Sequence, residues 1–267
     1  MRARYIAMAA LFVLACTVFA GSSSSAVRLK QGQFIIRCNQ SHIRAADPIV
    51  APGTYPSAHE HLFFGNNSTD ENSTFDSMKA GSSSCKDPKD TAGYWVPTLY
   101  NGTSLVNVIF GFFYYQGNAN THPFPLGLKI VAGGLQDPTR AFWDCFKSGH
   151  KQATPPSCTG GTGDYLVLRL RFPDCWNGVD LDSADHRSHM TYSSPGAQGV
   201  GTCPAGWVQV PSISLFNRYP TGIDPTNLHL SDMTVTPHAD FWNTWQPGEQ
   251  EALVQRCLDA GIDCGQV

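Results

Sequence analysis

The stretch Tyr165-Leu166-Val167-Leu168-Arg169-Leu170-Arg171-Phe172 decides the fold class. Leu166, Leu168 and Leu170 alternate with Val167 and Arg169, and a period of two puts one row on each face of a sheet. The same rhythm is read at 105–115, where Val106, Val108 and Phe110 alternate with Asn107 and Ile109. Further extended segments are read at 34–37, 126–132, 207–215 and 228–235, with Gly and Pro between them, as at Pro123, Pro125 and Gly127. One helix is predicted over 248–260. Leu253, Val254, Cys257 and Leu258 share a face, Glu249 and Glu251 complement the dipole in its first turn, and Gly261 is placed to cap its end. Together these features predict a mainly β chain: a single β-sandwich or open-barrel-like domain over 34–267, with long loops, a C-terminal α-helix and disulfide stabilisation.

Working outward, the N-terminus reads as an export signal over 1–20. Arg2 and Arg4 precede an apolar run from Ile6 to Phe19, and Val18-Phe19-Ala20 offers a cleavage site. Cys16 raises lipid attachment, but Leu14 fits that pattern poorly. A flexible segment follows over 21–33. Without the leader, 16 basic and 21 acidic residues give a net charge of −5, and no basic run stands out. Nucleic acid and membrane are therefore not expected as partners, and a secreted monomer is. Eight cysteines remain, an even number suited to disulfides in an oxidising compartment. Cys145–Cys158, Cys175–Cys203 and Cys257–Cys264 are the plausible local pairs, since each closes a modest loop. Five sequons, at Asn39, Asn66, Asn67, Asn72 and Asn101, agree with secretion, and 66–101 reads as long surface loops.

Five of the nine histidines fall in three clusters mixed with carboxylates: His59-Glu60-His61, Asp185-His186-Arg187-Ser188-His189 and His238-Ala239-Asp240. Imidazole titrates near neutrality and is the commonest metal ligand, while carboxylates orient it or carry protons themselves. The flanking residues read as turns or sheet edges. On a strand, His59 and His61 would project from one face with Glu60 pointing away. The second cluster follows Asp180 and Asp182 in a loop whose aspartates either serve chemistry or satisfy nearby backbone amides. Trp95, Trp176 and Trp242 stand near these clusters and offer rings that could stack on sugars or pack in the core. There is no Gly-x-Ser-x-Gly elbow, His-Glu-x-x-His helix, phosphate loop or dinucleotide fingerprint.

In order along the chain stand Asp47-Pro48-Ile49-Val50, His59-x-His61 before Phe63-Phe64-Gly65, and Tyr94-Trp95-x-Pro97-x-Leu99-Tyr100. Then come Phe172-Pro173-x-Cys175-Trp176-x-Gly178, Leu181-Asp182-Ser183-x-Asp185-His186-Arg187-Ser188-His189-Met190 and His238-Ala239-Asp240-Phe241. This set resembles the secreted domain of unknown function 1996 family of fungi and actinobacteria. Some fungal members are joined to carbohydrate-binding modules, so the resemblance implies a cell-wall setting and no specific reaction. Glu60, Trp207 and Thr244 depart from the family's usual residues.

Three functions fit these readings. The leading one is a glycoside hydrolase acting on a cell-wall polysaccharide without a cofactor. Asp240 with Asp182 or Asp185 would form the carboxylate pair, and His186 and His238 would tune them. His59, His61, His189, Arg187, Trp95, Trp176 and Trp242 would bind substrate. The second is a zinc- or copper-dependent extracellular enzyme with ligands drawn from His59, His61, His186, His189 and His238. The third is a non-catalytic glycan-binding or cell-wall structural module.

Overall fold

Residues 166–171 form the strand Leu166–Arg171, with Leu166, Leu168 and Leu170 buried and Arg169 and Arg171 half-buried on the opposite face. The computed structural model describes residues 30–149, 151–159, 161–194 and 201–267. The leader, Cys16 and residues 21–29 of the segment read as flexible lie outside them. Leu166–Arg171 belongs to a six-stranded sheet with the order Asp263–Gln266, Gly32–Cys38, Phe110–Gly117, Ser212–Tyr219, Leu166–Arg171, Ala141–Cys145. Its pairings are antiparallel except that of Gly32–Cys38 with Asp263–Gln266.

A five-stranded sheet, ordered Gln40–Arg44, His61–Gly65, Gly93–Pro97, His238–Trp242, Lys129–Gly133, packs against it. One continuous core joins Phe34, Phe113 and Leu168 of the first sheet to Phe64, Tyr94 and Phe241 of the second. Ring centroids meet across the gap at 3.9 Å for Tyr94 and Phe113 and 5.8 Å for Phe64 and Phe113. Two sheets face to face make the sandwich rather than the open barrel. The outer face of the five-stranded sheet is covered as well, since Phe63, Trp95, Val131 and Trp242 form a second core with Ala46, Ile49 and Met78.

Three expectations change here. The strand at 105–115 begins only at Phe110, and its inward residues are Phe113 and Tyr115, while Ile109 is exposed. Ser104 and Leu105 pair instead with Asn101 and Tyr100 in a separate hairpin, so the alternation does not carry through to Phe110. The segment 66–101 is not all surface loop: it contributes the central strand Gly93–Pro97, buried throughout. Asn66 is fully buried and donates to the carbonyls of Met78 and Thr91, so that sequon offers no accessible side chain.

The C-terminal helix forms as Glu249–Leu253 and continues as a wider π-helical turn over Val254–Asp259. Leu253, Val254, Cys257 and Leu258 are buried. Cys257 pairs with Cys264 on the edge strand Asp263–Gln266, which pins the helix to the six-stranded sheet. The other bridges are Cys38–Cys85, Cys145–Cys158 and Cys175–Cys203. Among the described residues, no helix is long and apolar enough to cross a membrane.

Candidate functional site

The site grows from the outer face of the five-stranded sheet. His61 opens the strand His61–Gly65 opposite Pro97, and His238 opens the strand His238–Trp242. Asp240 pairs with Trp95, so two more residues along the same antiparallel register put His238 level with Pro97. His61 and His238 therefore sit on strands either side of Gly93–Pro97 and reach toward each other above the small proline ring. Their Nε2 atoms are 3.1 Å apart. His59, two residues before His61, points from the same side, and its Nε2 lies 3.3 Å from that of His238. Glu60 turns away and accepts from the Tyr100 hydroxyl.

Hydrogen bonding fixes part of the proton distribution. The Nδ1–H of His61 donates to the Ala46 carbonyl at 2.9 Å, which leaves the lone pair on Nε2 aimed at the cluster. Burial, with His59 adding to it, lowers the pKa of His61 to about 3. Burial and then the neighbouring imidazoles lower that of His238 to about 3. These rings are neutral at neutral pH, the form that binds metals. Four ligands at a Zn–N distance of about 2.0–2.1 Å in a tetrahedron stand about 3.3 Å apart. The spacings of 3.1 and 3.3 Å fall at that value or just below it.

Beneath the imidazoles lies Asp240, fully buried, its nearer oxygen 3.8 Å from His238 Nε2. Neither oxygen has a donor among the described residues. Desolvation, with Asp47 adding to it, raises its pKa well above the usual carboxylate range. A buried carboxyl without donors demands a proton or a cation. Asp47 reaches in from the covering segment, its Oδ1 held by the backbone N–H groups of Ile49 and Val50 at 3.1 and 3.0 Å. Two overlapping triads can thus hold an ion: His59, His61 and His238, and Asp47, His61 and Asp240.

A pocket of about 350 Å³ opens here, lined by Asp47, His59, His238 and Asp240 together with Asp185, His186, Arg187 and Asp232. His186 has φ 57°, in the left-handed region, and its Nδ1 donates to Asp182 Oδ1 at 2.8 Å. The Arg187 guanidinium forms no ion pair among the described residues and donates to the Val131 carbonyl at 3.5 Å.

Several expected roles do not survive this geometry. His189 is fully buried, with Nδ1 bonded to Ser183 Oγ at 2.8 Å and Nε2 to the Lys129 carbonyl at 2.7 Å. Both nitrogens are used, so it neither ligates nor meets substrate. Asp185 Oδ1 accepts from the Ser183 and Ser188 hydroxyls and from the N–H groups of Arg187 and Ser188. Those bonds lower its pKa, so it organises the loop and is no proton donor. Asp182 is tied to His186 and, at 3.4 Å, to Lys129. Trp95 has no exposed surface, and Trp242 is buried beneath the Lys129 ammonium. Trp176 donates its indole N–H to the Asp180 carbonyl and packs on the main core. None of the three lines the pocket as a stacking platform. The second histidine cluster does lie in an exposed turn, but the first and third reach into the sheet, where His61 and Asp240 are fully buried. Asp47 and Asp232 were missed as site residues, although the first stood in the Asp47-Pro48-Ile49-Val50 motif.

The fold and site define a disulfide-bonded, mainly β domain with a buried histidine–carboxylate cluster. The chain belongs to the family described as domain of unknown function (DUF1996), whose model matches residues 47–245 and so takes in all three histidine clusters. No curated protein and no solved structure matches it significantly.

Proposed function

We propose that the chain is a secreted metal-dependent enzyme in which His59, His61 and His238 hold zinc or copper, with Asp240 beside the ion. The observation that carries this reading is the convergence of three Nε2 atoms, at 3.1 and 3.3 Å, over a buried carboxylate that has no donor among the described residues. An ion held there would act as a Lewis acid and bring the pKa of a bound water to about 7. The protein's own contribution is orientation: Ala46 fixes the His61 ring, and Ile49 and Val50 fix Asp47. Asp182 holds His186 where it can exchange a proton with bound substrate, and Arg187 offers a charge to it. Four disulfides suit an oxidising, extracellular setting, and the substrate we favour there is a cell-wall polysaccharide.

A metal-free glycoside hydrolase is the second reading, favoured by two carboxylates, Asp240 and Asp185, lining one pocket. The test is release of oligosaccharides from fungal, bacterial and plant wall polymers. Product that vanishes on chelation and in His61→Ala, and returns when the ion is restored to wild type, supports the metal enzyme. Product indifferent to chelation but lost in Asp185→Asn supports the second reading. No product from any polymer contradicts both and leaves a glycan-binding module.

A further inference from the structure

The six-stranded sheet turns one face to the core, and its other face carries a lattice of arginines and aromatic rings. Register places Arg37, Phe112, Phe216, Arg169 and Phe142 in one row across five adjacent strands. Phe110 and Arg218 pair in the next row, and Tyr114 lies on the other side, with its ring 4.6 Å from that of Phe216. Guanidinium groups lie over the rings: Arg37 at 4.3 Å from Phe110, Arg169 at 4.3 Å from Phe216, and Arg218 at 4.7 Å from Phe112. These side chains are half-buried, covered by one another. Phe146 is exposed beside them under Arg218, and Lys151 lies over Phe142.

Charge gives the face its meaning. The whole chain is acidic, with a net charge of −3. On this face Asp144 pairs with Arg169 at 3.0 Å, whereas Arg37, Arg218 and Lys151 form no ion pair among the described residues. Arg37 and Lys151, which lies over Phe142 at the far end of the row, stand four strands apart, about 19 Å at the usual strand spacing. Cations spread over that distance on a flat surface suit a polymer rather than a small molecule. Rings stack on the apolar faces of sugars, and guanidinium groups pair with carboxylates bidentately.

We infer that the outer face of the six-stranded sheet binds an acidic polysaccharide, with Arg37 and Arg218 pairing with uronate carboxylates, Tyr114 meeting a sugar ring, and Phe112 bracing the Arg218 guanidinium that lies over it. An exported, disulfide-bonded chain meets such polymers outside the cell. Single-stranded nucleic acid uses similar chemistry and is the competing outcome. This surface is separate from the histidine pocket, which lies on the other sheet, and does not depend on the metal.

The test is affinity electrophoresis of the full secreted chain through gels containing polygalacturonate, alginate, heparin or a neutral β-glucan, with single-stranded DNA as a competitor. Polygalacturonate or alginate should retard the protein in a salt-sensitive way, and the neutral glucan should not. The double variant Arg37→Gln/Arg218→Gln should bind about tenfold or more weakly, since it loses two charge-assisted contacts. Phe112→Leu, which keeps an apolar side chain on the strand, should also weaken retardation, with unchanged circular dichroism showing both variants folded. Equal retardation of wild type and both folded variants would overturn the inference. So would retention by the neutral glucan alone, a marked preference for heparin or DNA, or a solution dimer that covers the face.

Discussion

Both ring nitrogens of His189 are occupied by Ser183 and the Lys129 carbonyl, whereas His61 spends only Nδ1, on Ala46, and keeps Nε2 for the site. Sequence places the two in equivalent company, and only the partners available after folding separate a structural histidine from a ligand. His189→Ala should cost about 2–4 kcal/mol, the sum of a cavity and an orphaned carbonyl. It should leave metal content unchanged. Urea unfolding and elemental analysis of one preparation check both halves, and loss of metal in this variant would return His189 to the site. The loop around Asp185 teaches the same lesson. A carboxylate spaced for acid–base work also suits a turn, and four donors to its Oδ1 tie it into the turn and rule it out as an acid.

Strands covered on one face announced themselves in the sequence, and strands covered on both did not. Leu166–Arg171 alternates because Arg169 and Arg171 face partly outward. His61–Gly65, Gly93–Pro97 and His238–Trp242 are buried almost throughout, so they lack the period of two. Those are the strands that carry the candidate site, which is why its histidines read as turns or edges in the sequence. The interface between the sheets also holds a titrating element. Tyr94 donates to buried Asp90 at 2.8 Å and lies 2.5 Å from the Tyr115 hydroxyl, which accepts from Trp245. Burial raises the pKa of Asp90 well above its ordinary value. Folded Asp90 thus keeps a proton that the unfolded chain loses above about pH 4, its ordinary carboxylate range. Its contribution is full below that pH and declines as pH rises toward the folded value. Asp90→Asn cannot ionise, so its melting temperature should gain on wild type from about pH 4 to pH 7. Parallel melting curves across that range would show that Asp90 is ionised in the fold.

At the scale of the molecule, the bridges close loops of very different length. Cys38–Cys85 spans 47 residues and Cys257–Cys264 spans 7. Chain-entropy reasoning gives about 4 kcal/mol for the first and about 2 kcal/mol for the second. Replacing Cys38 and Cys85 by Ser should therefore lower the melting temperature more than replacing Cys257 and Cys264, as differential scanning calorimetry would read directly. The three short bridges were legible because each closes a local loop, while Cys38 and Cys85 meet only where the two sheets are joined. The three histidine clusters were legible as parts of one site. Their sorting into ligands, pocket wall and loop was not, because it depends on contacts such as His59 with His238, 179 residues apart. The cationic face of the six-stranded sheet was invisible for the same reason: no basic run marks it, and strand register alone assembles it. The measurement that bears most directly on the proposed metal centre is the zinc and copper content of tag-free protein, with His61→Ala and His238→Ala beside it. About one equivalent of ion in wild type and none in either folded variant is the expected result. Metal-free wild type that binds neither ion on titration, or variants that keep the full equivalent, would contradict it.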